Sequence, residues 1–424
     1  MFSATQPYRK VIGSGLVLKS VADEQDLEQV AAFNGVVHDE GVAAMTRALI
    51  SHHPHTRPEH CLCVADETTG QVVSSLCLIP WTWRYEEVEL KAGEMGIVGT
   101  LETYRRRGFI RALVTRFDEL LREGDYDLSP IQGIPYFYRQ FGYEYAIPLE
   151  GGLRVEPHLL SDAPPDKALR YTFRLATLDD LPALMRLYDD AVDDLSISAV
   201  RDEASWRYLF GPSLGTEMAA ETWLVLDEAG QPAGYFRIPQ VGFGEGLIVN
   251  EVSRLSRDTV LAVLRQLKAL TVERRKPYIR LNVPANSSLA TIARHRGAHD
   301  LGTYAWQIRL MNVGRLLQKL APVLERRIAA SPFADLTQNV CLNLYREAFD
   351  LRFEGGKLTA VDALGFSDRA GIRIPPPLAA PLLLGYRSRE ELSRTHHDVS
   401  IWAEWRHLVD VLFPKVASFI YTIY

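Results

Sequence analysis

The chain has 424 residues, of which 47% are hydrophobic and 24% are charged, and its formal net charge is −6. This length and composition predict a globular protein of two or three domains, and no run approaches the roughly 20 apolar residues that cross a bilayer. The acidic balance gives no reason to expect nucleic-acid binding and favours a cationic small molecule over an anionic one. No signal-peptide pattern follows the first residues, so we expect a cytoplasmic protein without a membrane partner.

Four cysteines are too few for a disulfide framework in a chain of this length. Two of them, Cys61 and Cys63, follow the histidines of SHHPHTRPEHCLC (residues 51–63), a composition that suggests zinc at first sight. However, they stand two positions apart at the start of an apolar run, so a strand would point both to one face as core residues. The second ligand pair of a structural zinc site is missing from the sequence, and we predict no metal.

Two stretches of the chain follow the same pattern of elements. A strand, a basic residue and an acidic helix start occur at LVLKSVADEQDLEQVAAF (16–33) and again at YTFRLATLDDLPALMRLY (171–188). Each is followed by a predicted hairpin with Asp-Glu before a glycine turn, VADETTGQVVSS (64–75) and VLDEAGQPAGYF (225–236). One more strand and an amphipathic helix follow at 95–121 and 247–270. The repeat predicts one α/β unit used twice.

The last hundred residues have a different character. AFDLRFEGGKLTAV (348–361) predicts a hairpin that turns at Gly355 and Gly356, a proline-rich segment leads into a helical region, and the chain ends in apolar ASFIYTIY (417–424). This pattern is typical of a third, α+β unit. With SDAPPDKA (161–168) as a linker, the predicted domains are residues 1–160, 161–305 and 306–424.

A basic turn distinguishes the first unit from the second. In TLETYRRRGFIRALV (100–114) three arginines and Gly108 separate a predicted strand from a helix. Free backbone N–H groups, the positive end of a helix and arginine side chains then meet at one point, where a diphosphate fits. The alternative is a solvated basic turn, but the flanking elements, and a second copy that lacks the arginine run and its glycine, favour an anion site.

Two motifs resemble those of a known family. ETYRRRGFIRAL (102–113) looks like the pyrophosphate-binding motif of the GCN5-related N-acetyltransferases (GNAT), usually Arg-x-x-Gly-x-Gly/Ala. Arg105 and Gly108 match it, and Ile110 stands at the second small position. Together with YFYRQFGYEYA (136–146), RRRGFIRA is similar to the Eis (enhanced intracellular survival) family. The resemblance implies an α/β fold of two tandem GNAT units, followed by a sterol-carrier-like α+β domain.

The resemblance also implies acetyl-CoA as co-substrate and assigns site residues. The implied coenzyme A contacts are Ile97, Val98, Gly99 and Thr100 on the strand and Arg105, Arg106, Arg107, Gly108, Phe109, Ile110 and Arg111 at the turn. By residue-for-residue match Tyr138 is the general acid and the carboxylate of Tyr424 the proton acceptor. A thiol titrates near 8.5 and tyrosine near 10, so full transfer of the Tyr138 proton to the thiolate is uphill by about 2 kcal/mol, which favours a strong hydrogen bond.

Both catalytic assignments have a plainer alternative. Tyr138 stands among aromatic neighbours and could be a core residue, and the C-terminal tail could be buried with its carboxylate merely salt-bridged. Comparison of the copies favours the catalytic role for Tyr138, because aligning Gly297 with Gly142 places Ala293 opposite it. The half without the arginine run and its glycine also lacks the tyrosine.

The sequence therefore predicts an acetyl-CoA-dependent N-acetyltransferase with direct transfer in a ternary complex. The expected acceptor is an amine of a cationic small molecule, an aminoglycoside by family resemblance, or a lysine side chain. The competing hypothesis is a protein that binds a lipid or another apolar ligand through its C-terminal unit and carries an inactive transferase half. A homo-oligomer, a hexamer by family resemblance, is also expected.

Overall fold

The computed structural model describes residues 4–150, 152–161, 170–242, 244–369 and 371–424. The predicted linker at 161–168 lies outside the described residues apart from Ser161. The fold is mixed α/β with several sheets, as predicted. Of the helices in the described ranges, none is long and apolar enough to span a bilayer.

The N-terminal part forms a mixed sheet with helices on both faces. Its elements are β1 (Arg9–Gly13), β2 (Leu16–Ser20), α1 (Glu24–Val37), α2 (Glu40–His52), β3 (Cys61–Asp66), β4 (Gln71–Tyr85), β5 (Val88–Thr100), α3 (Phe109–Glu123), β6 (Leu128–Ile131), β7 (Glu144–Glu150) and β8 (Leu153–Val155). Asp23 and Asp39 cap α1 and α2 by accepting backbone N–H groups of the first turn. Cys61 and Cys63 lie buried in the core along β3, which confirms the prediction made from their spacing.

The middle of the chain repeats this order of elements. It contains β9 (Thr172–Leu175), α4 (Leu181–Val192), β10 (Ile197–Ala199), α5 (Glu203–Leu209), β11 (Ala220–Leu226), β12 (Pro232–Pro239), β13 (Leu247–Val249), β14 (Glu251–Val252), α6 (Arg257–Glu273), β15 (Ile279–Leu281), α7 (Ser288–His295), β16 (His299–Asp300) and β17 (Tyr304–Leu310). The predicted hairpins at 64–75 and 225–236 are the antiparallel pairs β3–β4 and β11–β12. Beyond β12 the strands divide into two sheets, of order β14-β12-β11-β9 and β13-β15-β8-β16.

The two parts exchange strands. β17 lies between β6 and β7 in the first sheet, and β8 lies between β15 and β16 in the second part. In addition, β10 pairs with the end of β4. These pairings join residues on opposite sides of the predicted boundaries at residues 160 and 305. The two units therefore cannot separate without breaking backbone hydrogen bonds.

The C-terminal part packs helices against its own antiparallel-rich sheet. Its elements are α8 (Val313–Lys319), α9 (Ala321–Ala329), β18 (Gln338–Asn343), β19 (Ala348–Glu354), β20 (Lys357–Gly365), β21 (Ile372–Arg373), α10 (Pro376–Leu383), α11 (Arg389–Thr395), β22 (Ser400–Ile401) and α12 (Ala403–Leu412). The sheet order is β20-β19-β18-β21-β22. The predicted hairpin turns where Glu354 pairs with Lys357, which confirms the turn at the two glycines.

The last eight residues leave this part and run back between the other two. The N–H of Ser196 donates to the carbonyl of Ala417 (2.7 Å), and the N–H of Phe419 donates to the carbonyl of Ile197 (3.1 Å). The chain ends in the core of the N-terminal part, where Tyr424 is 4% exposed. The expectation that the apolar tail is buried is confirmed.

Candidate active site

A bulge in β5 opens a cleft in the first sheet. Ser75 pairs with Gly99 but Cys77 pairs with Gly96, so β5 carries one extra residue, and Ile97 adopts φ 50°. A β-branched residue at positive φ is strained, a feature that concentrates at functional sites. Because β6 is registered with β5 only where Ala92 meets Leu128, the strands diverge beyond the bulge.

The arginine turn leaves the first turn of α3 open. Gly108 precedes the helix in the left-handed conformation (φ 84°), and no side chain accepts a hydrogen bond from the amides of the first turn. In contrast, Ser256 precedes α6, and its hydroxyl accepts the N–H of Thr259. A helix N-terminus with free N–H groups can bind an anion, and of these two corresponding helices α3 is the one that offers it.

The arginine side chains remain available to a ligand. Arg105, Arg106 and Arg111 are exposed and form no ion pair with any described residue. Arg107 is oriented locally, since it donates to the carbonyl of Thr103 (3.2 Å) and its guanidinium lies 4.7 Å from the ring centroid of Tyr104. The turn therefore concentrates uncompensated positive charge beside the open helix end.

A cavity of about 760 Å³ joins these features. Its walls contain Val98, Gly99 and Thr100 of β5, the whole turn from Arg105 to Arg111, and Tyr138, together with Val37, His38, Tyr104, Ile134, Phe137, Gln140 and Phe141. The structure thus brings together the sequence-predicted site residues except two. Ile97 packs into the core behind the bulge, and Tyr424 does not line this cavity.

Tyr138 enters the cavity from a short 3-10 helix, Phe137–Phe141. Its side chain is 6% exposed, and its ring contacts those of Phe137 and Tyr143 edge to face. A Cβ on Gly133 would lie 2.3 Å from a ring carbon of Tyr138, so glycine is required there. Burial raises the pKa of Tyr138, and its hydroxyl has no hydrogen-bond partner within the described ranges. The site holds a neutral phenol whose donor is free for a ligand.

Tyr424 lies on the opposite face of the sheet. It belongs to the core under α1 and α2, whereas Tyr138 belongs to the core under α3. Its hydroxyl donates to Glu94 Oε1 (2.8 Å) and its ring centroid is 5.6 Å from that of Trp81. The Thr422 hydroxyl donates to the Tyr424 main-chain oxygen at 2.8 Å.

Glu94 is a candidate functional residue that the sequence prediction missed. It is 1% exposed on β5, and it also accepts a hydrogen bond from Trp81 Nε1 (2.9 Å). No lysine or arginine of the described chain pairs with it, and burial raises its pKa to about 7, partly offset by the hydrogen bonds from Tyr424 and Trp81. The strand period gave a signal, because Glu94 continues the inward series of Val88, Leu90 and Ala92.

We expect replacement of Glu94 by glutamine to change how stability depends on pH. The folded-state pKa lies above the unfolded value, so ionisation of Glu94 destabilises the fold progressively as pH rises from about 4.5 to about 7. The variant lacks this cost. Its free energy of unfolding relative to the parent should therefore rise by about 3 kcal/mol between pH 4.5 and 7.5. Urea denaturation over that range measures the difference.

Glu89→Gln is the matched control, since Glu89 is exposed on the same strand. Urea denaturation of this variant over the same pH range gives the baseline. A Glu94→Gln difference that changes no more than this baseline would show that Glu94 does not titrate near neutral pH.

Further carboxylates lie near the chain terminus. Burial, and then the charge of Asp39, raise the pKa of Glu217, while burial, Glu94 and Glu217 raise the pKa of the Tyr424 hydroxyl. Acidic groups therefore gather on the face of the sheet covered by α1 and α2. The cavity on the α3 side is lined by arginines instead, so the two faces of the sheet attract opposite charges.

The N-terminal part of the chain is similar to a known domain family. Residues 21–146 match the acetyltransferase (GNAT) domain family. Among curated proteins no significant sequence match was found.

Three solved structures resemble nearly the whole chain. A GCN5-related N-acetyltransferase from Anabaena variabilis ATCC 29413 is 15% identical with a TM-score of 0.69, and the match covers 96% of this chain and 99% of the other. A probable N-acyltransferase from Enterococcus faecalis V583 is 14% identical with a TM-score of 0.70, covering 99% and 100%. Eis1 from Mycobacterium abscessus is 16% identical with a TM-score of 0.62, covering 96% and 99%. At these identities the likeness concerns the fold.

The family match and the fold define an acetyltransferase. The N-terminal part carries a GNAT domain, and GNAT domains use acetyl-CoA as the co-substrate with an acceptor that receives the acetyl group. The prediction of an acetyltransferase is confirmed.

Proposed function

We propose that the protein transfers an acetyl group from acetyl-CoA to an amine of a cationic small molecule, aminoglycoside-like in character, or of a lysine side chain. Transfer is direct, within a complex of both substrates. The observation that carries the proposal is the cavity in which the open end of α3, three unpaired arginines and the free hydroxyl of Tyr138 meet.

The residues of this cavity suit coenzyme A. The amides that begin α3 and the side chains of Arg105 and Arg106 would hold the pyrophosphate. The edge of β5 at Val98 and Gly99 would run beside the pantetheine arm and offer backbone groups to the thioester oxygen. Acetyl-CoA supplies an activated thioester. The protein has to orient the thioester, stabilise the departing thiolate and accept the proton of the amine.

Proton handling is assigned to the two tyrosines on either side of the sheet. As the acceptor nitrogen attacks the carbonyl carbon and the carbon–sulfur bond breaks, Tyr138 stabilises the departing thiolate by a hydrogen bond. Its raised pKa keeps the phenol neutral, which favours donation over proton loss. The carboxylate of Tyr424 accepts the proton that leaves the acceptor nitrogen.

The acidic groups near Tyr424 support a cationic acceptor. Asp39 and Glu217 interact electrostatically with one another, and Glu217 acts on Tyr424. Neither acid forms an ion pair with a described residue. An ammonium group bound there would offset their mutual repulsion.

The remaining parts are proposed to support this one active site. Residues 161–305 act as a degenerate second GNAT unit. The hydroxyl of Ser256 accepts the N–H of Thr259 at the start of α6. Aligning Gly297 with Gly142 places Ala293 opposite Tyr138. Residues 306–424 act as a sterol-carrier-like unit that delivers the tail rather than binding a lipid. Hexamer formation remains a prediction.

Arg105→Ala and Arg106→Ala should each raise the KM for acetyl-CoA about tenfold while kcat changes little. Each change removes a charge-assisted contact of about 1.5–3 kcal/mol that does not alter during the reaction. A thiol-release assay with acetyl-CoA and a panel of aminoglycosides, polyamines and lysine peptides measures both constants and identifies the acceptor class.

Arg122→Ala is the matched control, because Arg122 is exposed in the last turn of the same helix. It should leave the KM unchanged. Thiol release with none of these amines, or a KM that none of the arginines affects, would contradict the proposed function.

A further inference from the structure

The C-terminal tail is held at both ends of its buried run by different parts of the protein. Near its start, the backbone at Ser418 bridges to Ile197 of β10 in parallel. At its end, the hydroxyl of Tyr424 donates to Glu94 of the first unit. Between these points the Tyr421 hydroxyl donates to the carbonyl of Val252 (3.3 Å).

One buried arginine of the middle part donates to the backbone of the tail. Arg201 Nη2 lies 2.6 Å from the carbonyl oxygen of Thr422, two residues before the chain terminus. The Arg201 side chain has no exposed surface. Its guanidinium lies over the perpendicular rings of Tyr188 and Trp206, at 4.3 and 4.4 Å from their centroids, and this packing fixes its orientation.

The charge around Arg201 is unbalanced. Arg201 forms a bidentate salt bridge with Glu251 (2.8 and 2.9 Å), and Glu251 also accepts a hydrogen bond from the Tyr235 hydroxyl. Arg237 is a second buried arginine whose Nη1 lies 3.6 Å from the same carboxylate. Two guanidinium groups thus share one carboxylate. Asp189, on α4, is a further acid whose charge acts on Arg201, but it is only partly buried.

We propose that Arg201 is a positioning residue that holds the C-terminal carboxylate in place for the first unit. This inference rests on the proposed function, in which that carboxylate accepts the acceptor proton. Glu251 could be neutralised by Arg237 alone, so the fold does not need a second buried cation at this point. Arg201 differs from Arg237 in reaching the tail, and it does so through a main-chain atom, which fixes the path of the backbone whatever side chain stands at position 422.

The test compares variants of Arg201 with a variant of its neighbour. Arg201→Lys keeps the positive charge, and Arg201→Gln leaves Arg237 to neutralise Glu251. Both variants are therefore expected to fold. Arg237→Lys is the matched control, because Arg237 contacts Glu251 and Thr222 but not the tail. Each is measured in the full chain and in a chain that ends at Ile423.

In the full chain kcat should fall about tenfold for Arg201→Lys and further for Arg201→Gln, with the KM for acetyl-CoA unchanged. In the shortened chain neither change should lower kcat again, because the group they position has gone. Arg237→Lys should leave kcat at the parental value. Carboxypeptidase should also release Tyr424 faster from both Arg201 variants than from Arg237→Lys.

Two results would overturn the proposal. One is a loss of kcat that is as large in the shortened chain as in the full chain. The other is parental kcat and parental release of Tyr424 in both Arg201 variants. If removal of Tyr424 alone leaves kcat unchanged, the proton-acceptor role fails instead, and faster release of Tyr424 from the Arg201 variants still tests whether Arg201 holds the tail.

Discussion

Tyr138→Phe should lower kcat by about two orders of magnitude and leave the KM for acetyl-CoA within a factor of about three. General acid or strong hydrogen-bond assistance contributes about 10²–10⁴ to a rate, and the change removes only the hydroxyl from a buried ring. The hydroxyl has no partner among the described residues, so its loss leaves no other group unsatisfied. Steady-state kinetics with a good acceptor measures both constants.

The pH profile gives a second test of the same residue. Burial raises the pKa of Tyr138, so the phenol stays protonated through the neutral and mildly alkaline range. The parental rate should therefore show no fall from tyrosine ionisation below about pH 10, the ordinary value for tyrosine.

Tyr136→Phe is the control for Tyr138, because Tyr136 precedes it by two residues and is 75% exposed. It should retain parental kcat and KM. Equal kcat in the two variants would remove Tyr138 from the mechanism and leave it as a core residue.

Removal of Tyr424 should lower kcat by about two orders of magnitude as well. Ending the chain at Ile423 moves the carboxylate back by about one residue, or 3.8 Å, from its place beside the Thr422 carbonyl bound by Arg201 and the Tyr424 hydroxyl bound by Glu94. A displacement of that size is enough to abolish proton acceptance, since a 1 Å misplacement already costs about 10² in rate. Thiol release with saturating acetyl-CoA measures the effect.

Two further variants separate the carboxylate from the ring. Tyr424→Phe keeps the carboxylate in place and loses only the bond to Glu94, so kcat should fall less than about tenfold. One glycine added after Tyr424 keeps the ring and displaces the carboxylate, so it should act like the deletion. If the added glycine has no effect on kcat, the carboxylate is not the proton acceptor and the tail serves stability alone.

Local signals in the sequence were sufficient to predict the turn and the helix on the α3 side of the candidate site. The turn from Arg105 to Gly108 and the apolar stripe of α3 are set by neighbouring residues, so their structure could be predicted from periodicity and glycine chemistry. The same holds for the hairpins at 64–75 and 348–361. Glu94 was also within reach, because strand alternation alone points its carboxylate inward.

Non-local pairing could not be predicted in this way. The exchange of β8 and β17 joins residues about 150 positions apart along the chain. The sequence of a short apolar strand does not indicate which strand it will pair with. The backbone strain at Ile97 also depends on non-local pairing. Its positive φ is imposed by the register of β5 against β4 and not by its own preference.

The sequence alone determined the α/β class, the repeated order of elements and the basic turn before α3, because each depends on contacts within a few residues. Only the tertiary structure decided that Tyr138 lies in the same cavity as this turn, while Tyr424 lies on the opposite face of the sheet. Only the tertiary structure placed Arg201 against the carbonyl of Thr422. These arrangements depend on which distant surfaces bury one another, and that choice is made by the free energy of the whole fold.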